Sequence, residues 1–352
     1  MEKVFIKTEN GKNPHAGSKA RDDVDELLKQ RGYRPIIVGN YEPREDRKEN
    51  LFEKIQRHVT SLVNAFRLFF LLPGKSMVVM QHPMTGFVYF NWMINPLKKI
   101  KKVKLVALIH DLDSLRKLHG ENQKNDELAD LKLLRKCDAI ICHNSKMKEY
   151  LIEEKFPEET IVSLELFDYL TPEVITAYDE SKGIVIAGNL NEEKSGYLRQ
   201  LKQLSKELVF ELYGPNYSEL PQESVHYHGS FAPDDLLEAI KGSYGLVWDG
   251  SSIGMCEGNF GEYLRYNNSH KASLYLAVGI PVIVWKESAL SEFVENEGIG
   301  FSISNLYEIE TKITSQNKEE LIKNVAVMKE KVTNGYFLNS AMSVVEGKLE
   351  EK

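Results

Sequence analysis

Two aspartates and a histidine follow a predicted strand in the N-terminal half. His110 and Asp111 come directly after an aliphatic run that ends at Ile109, and Asp113 comes two residues later. In one class of sugar transferases an Asp-x-Asp pair after a strand holds Mn²⁺ and a diphosphate, because carboxylates suit such an ion. Alternatively, Asp113 caps a helix, or His110 or Asp111 accepts a proton from an acceptor hydroxyl. We expect no metal site, and the cap and acid–base roles stay open.

A lysine stands where a helix would favour an acidic side chain. Ser269 is the predicted N-cap of an apolar helix, since serine is a preferred capping residue. His270 and Lys271 then fall in the first turn, where a cation opposes the helix dipole. A phosphate bound at this helix end would explain the lysine. The alternative is a lysine that faces solvent.

Two loops of the C-terminal half could approach a ligand. Gly188 and Asn189 follow the predicted strand Ile184–Ala187, and small residues there let backbone N–H groups reach an anion. The segment Asp249–Lys271 is more informative, because a loop of this length in an α/β domain usually serves a function. Glu257, within that segment, is a further candidate for substrate binding.

These residues need a framework, and strands and helices alternate through both halves of the chain. Such alternation predicts parallel sheets built from βαβ units, here as two Rossmann-like α/β domains that face each other across a cleft. Open α/β sheets bind ligands at the carboxyl ends of their strands. We predict an N-terminal domain over 1–167, a linker over 168–182, a C-terminal domain over 183–334, and a segment over 335–352 that packs back on the N-terminal domain.

Composition narrows the class of protein. The chain has 352 residues, 45 Lys and Arg against 52 Asp and Glu, and three cysteines. The net charge of −7 argues against nucleic-acid binding, and three cysteines provide neither a disulfide framework nor a zinc site. The N-terminus lacks an apolar signal core, so we expect a cytoplasmic protein.

Two features are compatible with contact to the inner face of a membrane. One is the Phe- and Leu-rich stretch Ala65–Leu72, and the other is Lys98–Lys104, with five lysines in seven positions. The alternatives are a core helix for the first and a solvated helix end for the second.

The stretch EGNFGEYLRYNNSHKASLYLAVGIPVIVW resembles a bacterial family of GT-B glycosyltransferases. That family contains glucosyltransferases that act on serine-rich adhesins and enzymes named β-1,6-galactofuranosyltransferases. RGYRPI and IHDLDSLR, nearer the N-terminus, extend the resemblance over nearly the whole chain. The resemblance implies transfer of a hexosyl group from a UDP-sugar, without a cofactor, to a glycan that is protein-linked, lipid-linked or a polysaccharide. The insertion EGNFGEYLRYNN favours galactofuranose over glucose.

The resemblance also implies an N-terminal acceptor domain and a C-terminal UDP-sugar donor domain, with roles for residues in both. Lys271 would hold the diphosphate of UDP, and Asp111, His110 and Lys271 are the candidate catalytic residues. The candidate binding residues are Gly17, Ser18, Gly188, Asn189, Lys194, Ser230, Phe231, Glu257, Asn268, Ser269 and Lys271. We expect a homo-oligomer. The alternatives are a UDP-sugar epimerase of similar fold, a non-catalytic partner subunit of a transferase, and a sugar-binding protein.

Overall fold

Two six-stranded sheets of parallel strands form the framework of the molecule. They are seen in a computed structural model. The model describes residues 1–8, 16–39, 50–84, 89–116, 130–171, 175–218 and 222–351.

The N-terminal sheet has the strand order β2-β1-β3-β4-β5-β6. Its central strands are continuous runs of aliphatic residues because helices cover both faces of the sheet. The strands are β1 Glu2–Thr8, β2 Arg34–Val38, β3 Ser76–His82, β4 Lys104–Ile109, β5 Ala139–Cys142 and β6 Ile161–Ser163. The helices are α1 Ala16–Gln30, α2 Leu51–Leu71, α3 Phe90–Lys101, α4 Asp113–Arg116 and α5 Ser145–Glu153, with further helical residues at 130–134.

The C-terminal sheet has the order β12-β11-β10-β7-β8-β9. The strands are β7 Ile184–Ala187, β8 Phe210–Tyr213, β9 Val225–Tyr227, β10 Tyr244–Val247, β11 Val282–Trp285 and β12 Gly300–Ile303. The helices are α6 Glu192–Ser195, α7 Pro233–Ala239, α8 Gly258–Tyr263, α9 His270–Ala277, α10 Ser291–Asn296, α11 Ile309–Thr314, α12 Lys318–Thr333 and α13 Tyr336–Glu350. A 3₁₀-helix spans Gly196–Gln203.

Both sheets reverse their strand order at their first strand. β1 lies between β2 and β3, and β7 lies between β8 and β10. Such a switch point opens a crevice outside the carboxyl ends of the strands, because the two following loops leave in opposite directions. The loops after β1, β3 and β4 on one side, and after β7 and β10 on the other, therefore carry the candidate site.

The last helix, α13, lies against the N-terminal domain. Glu346 forms ion pairs with Lys3 at 3.0 Å and Arg31 at 2.9 Å, and it accepts a hydrogen bond from the Tyr33 hydroxyl at 2.9 Å. At the start of α13, the Asp168 carboxylate accepts the backbone N–H of two successive residues at 3.1 and 2.7 Å. The chain therefore crosses between the domains twice, at neighbouring points.

Helix α2 departs from the expectation of a core helix. A capping box between Asn50 and Glu53 fixes its first turn, yet only Ser61, Asn64, Ala65 and Leu68 are buried along it. Most of its apolar side chains instead face solvent. Among the described parts of the chain, no helix combines the length and the apolar character needed to cross a bilayer.

Candidate functional site

Lys271 and Asp249 form a buried ion pair at the carboxyl end of the C-terminal sheet. Lys271 Nζ lies 2.7 Å from Asp249 Oδ1, and only 11% and 7% of the two side chains are exposed. Asp249 follows β10, and Lys271 is the second residue of α9. The lysine thus meets a protein carboxylate at the positive end of the helix, and neither group is a freely solvated charge.

The loop after β7 passes directly beside this ion pair. Gly188 has φ +124°, a conformation that favours glycine, and a Cβ atom added there would lie 3.3 Å from Lys271 Cε. Gly214, after β8, approaches so closely that its Cβ atom would lie 1.8 Å from the Gly188 carbonyl oxygen. The Gly188 backbone therefore passes close to the lysine, and the Gly214 backbone packs directly against Gly188.

A second lysine faces the same group of charges. The Asp249 carboxylate raises the pKa of Lys194, but burial and the positive charges of Lys271 and Arg116 outweigh it, so the pKa lies below 10.5. The ammonium also lies 5.4 Å from the centre of the Phe260 ring. The positive potential at Lys194 makes this edge of the sheet a suitable place for an anion.

Asp111 faces the C-terminal domain from the end of β4. Its carboxylate pairs with Arg116 NH1 at 3.3 Å, and Asp113 pairs with the same guanidinium at 3.8 Å. The hydroxyl of Tyr263, on α8 of the C-terminal domain, accepts the backbone N–H of Leu112 at 3.0 Å. Burial and the nearby Asp111 carboxylate raise the pKa of Tyr263 well above 10. Asp113 is the first residue of α4, and Asp130 accepts the N–H of Ser114 at 3.1 Å.

His110 begins a chain of polar contacts that crosses the N-terminal sheet. Its Nε2 lies 2.6 Å from Gln81 Oε1, the Gln81 amide donates to Asp25 at 2.7 Å, and Asp25 pairs with Lys7 at 3.0 Å. Since Gln81 Oε1 only accepts, Nε2 of His110 carries the proton. Burial and the Arg21 charge lower the pKa of His110 well below 6.5. The ring is therefore neutral at pH 7, with its lone pair on Nδ1.

Asn268 joins the two domains. Its amide nitrogen donates to the carbonyl oxygens of His143 and Glu165 at 2.7 and 2.8 Å, and its oxygen accepts from Asn144 at 2.6 Å. The backbone N–H of Asn268 donates to Nδ1 of His143 at 2.9 Å. Each polar group of this side chain is directed into the N-terminal domain, so its contacts hold the start of α9 against that domain.

The next two residues also begin α9. Ser269 occupies the predicted N-cap position, but its side chain makes no capping hydrogen bond. The His270 ring lies among Phe167 and Tyr169 at centroid distances of 5.9 and 5.1 Å. Within the described residues its Nε2 is buried without a hydrogen-bond partner, and burial lowers the pKa of His270 to about 4.

The other predicted residues lie around the same cleft or at its rim. Asn189 accepts from Asn216 at 2.9 Å, and Glu257 accepts from the Ser251 hydroxyl at 2.5 Å. Ser230 and Phe231 are exposed after β9, where Phe231 lies 6.1 Å from the Tyr213 ring.

Gly17 and Ser18 stand in the first turn of α1, and the loop 9–15 before them is outside the described residues. In the described ranges, no three His, Cys, Asp or Glu side chains are arranged to hold a metal ion.

Comparison with known proteins places the chain in a family. Residues 3–166 match the N-terminal domain model of the glucosyltransferase 3-like family, and residues 184–345 match the C-terminal domain model. β-1,6-Galactofuranosyltransferase WbbI of Escherichia coli K12 is 28% identical over 351 residues, 97% of each chain. Glucosyltransferase 3 of Streptococcus gordonii is 25% identical over 322 residues, 90% of each chain.

Solved structures agree on the fold. Sucrose-phosphate synthase of Thermosynechococcus elongatus gives a TM-score of 0.66 at 12% identity over 100% of both chains. HepE of Anabaena, solved in complex with UDP and glucose, gives 0.57 at 11% identity over 99% of both chains. The predicted fold and family are thereby confirmed: the chain belongs to the glucosyltransferase 3-like family and has the GT-B fold of glycosyltransferases.

Proposed function

We propose that this glycosyltransferase moves a hexosyl group from a UDP-sugar to a carbohydrate acceptor, with galactofuranose favoured over glucose. The observation that carries the proposal is the group of Lys194, Lys271 and Asp249 beside the Gly188 loop. Charged nitrogen atoms, a helix N-terminus and bare backbone together suit a diphosphate. The greater identity and coverage of the galactofuranosyltransferase relative support galactofuranose.

In this proposal the donor binds to the C-terminal domain. The negative charge on UDP grows as the bond to the sugar breaks, and preorganised cations beside it lower that barrier. Lys271 and Lys194 take this role, with the N-terminus of α9 behind them. Because Asp249 already holds Lys271 at 2.7 Å, the ammonium is oriented before the donor binds.

The acceptor lies on the N-terminal side, where His110 and Asp111 face the cleft. An inverting reaction needs a base for the acceptor hydroxyl. Asp111 can accept the proton as a carboxylate, held by Arg116 and Tyr263. His110 can accept it at Nδ1, because Gln81 fixes the proton on Nε2. A retaining reaction would need neither group as a base, and the anomeric configuration of the product, read by NMR, separates the two courses.

Ligand binding and transfer test the proposal at two levels. Thermal unfolding is followed in the presence of UDP, ADP or NAD. A ligand at one hundred times its Kd raises the free energy of unfolding by about 2.7 kcal/mol. We expect a shift with UDP only. UDP-galactofuranose, UDP-galactopyranose and UDP-glucose are then compared with a glycan acceptor, with transfer expected fastest from the furanose.

The outcomes separate the alternative functions. Epimerised UDP-sugar without transfer would identify an epimerase. UDP binding without turnover of any donor would identify a non-catalytic partner subunit, and absence of UDP binding would contradict the donor site.

A further inference from the structure

Helix α2 presents an apolar face to solvent along its full length. The exposed side chains on it are Leu51, Phe52, Ile55, Val59, Leu62, Val63, Phe66, Phe70 and Leu71. Phe52 and Phe70 are each 74% exposed and Phe66 is 52% exposed, so these three rings alone leave roughly 400 Å² of apolar surface in water. The largest apolar patch on a monomer is usually about 300–600 Å² in total. The face therefore marks an interaction surface.

Helix α3 extends this surface sideways. The Tyr89 hydroxyl lies 3.0 Å from His58 Nδ1 on α2, and the Tyr89 ring lies 5.1 Å from that of Trp92. Further along, Lys101 Nζ donates to the Phe70 and Leu72 carbonyl oxygens at 3.3 and 2.6 Å. The two helices therefore run side by side in the same direction. Trp92 and Ile100 of α3 add two more exposed apolar side chains, at 74% and 69%.

The charge of this region is opposite to that of the rest of the chain. Residues 50–104 hold nine Lys and Arg and one Glu, a net charge of +8, which leaves −15 for the remainder of the −7 total. Lys75, Lys99 and Lys102 are exposed. The backbone N–H of Lys75 donates a hydrogen bond to the Lys101 carbonyl oxygen at 2.7 Å. The cluster of Lys75, Lys99 and Lys102 therefore lies at the C-terminal end of α2, beside Phe70.

The positive charge of this surface indicates which kind of partner binds to it. Phe52, Ile55, Val59, Leu62 and Phe66 alternate spacings of three and four residues, which would also suit a helix from a second copy. A symmetric pair would bring two regions of +8 together, which is unfavourable. An anionic lipid surface satisfies both features, because apolar and aromatic side chains enter the interface while lysines meet the headgroups.

We propose that α2 and α3, with the lysines at their C-terminal ends, form a docking surface for an anionic membrane. The surface belongs to the domain that carries His110 and Asp111, so it would bring the acceptor side of the cleft toward the bilayer. The inference rests on exposed apolar area and charge, and it does not depend on which sugar is transferred.

Vesicle sedimentation with the full chain tests the proposal. Vesicles of phosphatidylcholine are compared with vesicles that also contain phosphatidylglycerol, at low and high salt. We expect strong binding to the anionic vesicles that weakens with salt. Phe66→Ser with Phe70→Ser, and separately Lys99→Glu with Lys102→Glu, should each lower the partition coefficient at least about tenfold.

Matched variants lie on the other domain. Val327 and Tyr307 are 52% and 57% exposed, and Lys202 and Lys206 are exposed, so Val327→Ser with Tyr307→Ser and Lys202→Glu with Lys206→Glu serve as controls. The controls should bind vesicles like the parent. Melting temperatures confirm folding, and the lysine pair decides the result if the Phe variants unfold.

Three results would overturn the proposal. The first is equal binding of neutral and anionic vesicles, and the second is equal loss of binding in patch and control variants. The third is absence of vesicle binding. If light scattering then shows an oligomer that the Phe66→Ser and Phe70→Ser changes dissociate, the face belongs to a contact with a second copy of the chain.

Discussion

The Tyr263 hydroxyl connects the two domains at the position of Asp111. It accepts the backbone N–H of Leu112, the residue after Asp111, at 3.0 Å. Burial and the nearby Asp111 carboxylate raise the pKa of Tyr263 well above 10, so the phenol keeps its proton and is available to donate it to that carboxylate. A residue of the C-terminal domain thereby contacts the segment of the N-terminal domain that carries Asp111.

We predict that Tyr263→Phe lowers kcat by roughly tenfold to a hundredfold, because small displacements of a reacting group are costly. UDP affinity should change little. Tyr266→Phe is the matched control, since no hydrogen bond from the Tyr266 hydroxyl is seen among the described residues. A Tyr263→Phe enzyme with parental kcat, or one that changes only KM, would show that the hydroxyl does not position Asp111.

Asp111→Asn should lower turnover by about 10²–10⁴-fold if the carboxylate accepts the acceptor proton. The UDP dissociation constant should stay near the parental value, because Asp111 stands on the opposite domain. Asp113→Asn is a close control, since Asp113 contacts the same Arg116 guanidinium. Normal turnover of Asp111→Asn would reduce this residue to a structural partner of Arg116.

Lys271→Ala should weaken both UDP binding and the fold. Loss of a charge-assisted phosphate contact costs roughly 1.5–3 kcal/mol of binding free energy, and kcat should fall by about 10²–10³-fold. Helix-dipole reasoning alone predicts little loss of stability, but the structure places Asp249 in an ion pair with Lys271. Breaking a buried pair costs about 3–5 kcal/mol, and less here because Lys194 also faces Asp249.

The double variant Lys271→Ala with Asp249→Asn separates the two effects. It removes the unpaired carboxylate, so stability in urea should recover while UDP affinity and turnover stay low. Calorimetry with UDP measures the affinity of each variant. If Lys271→Ala unfolds more easily but binds UDP like the parent, the lysine has a structural role only.

The pH dependence of stability should include a contribution from His143. Burial lowers the pKa of His143 from its usual value of 6.5 to about 4. Between these values the unfolded chain binds more protons, so this contribution is complete above pH 6.5 and is lost as the pH falls toward 4. This contribution changes the free energy of unfolding by at most about 1.4 kcal/mol per pH unit.

His143→Gln should reduce the slope of the free energy of unfolding against pH in that range, relative to the parent, by the contribution of this histidine. Burial raises the pKa of Asp23 to about 6 and of Asp168 to about 7, and both oppose the histidine slope. The difference between parent and variant removes their contribution. His58→Gln, at an exposed position, should leave the profile unchanged, and an unchanged profile in His143→Gln would contradict the assignment.

The sequence predicts the sheets well because their strands are short aliphatic runs between helical segments. It also predicts Lys271 in the first turn of α9, because serine and an apolar run indicate the start of a helix. The Asp249 partner of Lys271 follows a different strand, so only the order of strands in the sheet brings the two together.

The polar chain behind His110 could not be predicted for a similar reason. Gln81 is on β3, Asp25 is on α1, and Lys7 is on β1, and no short-range spacing relates them. For Tyr263 a signal was available, since it lies in the unusually long segment Asp249–Lys271. Its direction toward Asp111 depends on how the two domains face each other, which local patterns do not encode.

Because α13 packs on the N-terminal domain, the C-terminal domain is connected as an insertion between the last strand of that domain and α13. The first strand and the last helix share one domain through Glu346 and Arg31, and the other domain lies between two crossings, near Asp168 and Gly335. Two connecting segments resist twisting more than a single connecting segment does. We therefore expect the two domains to rotate about one axis through these crossings and not to swivel freely. Cutting the gene after the first crossing would also separate Arg31 and Tyr33 from Glu346, so the N-terminal half should be less stable alone than within the whole chain.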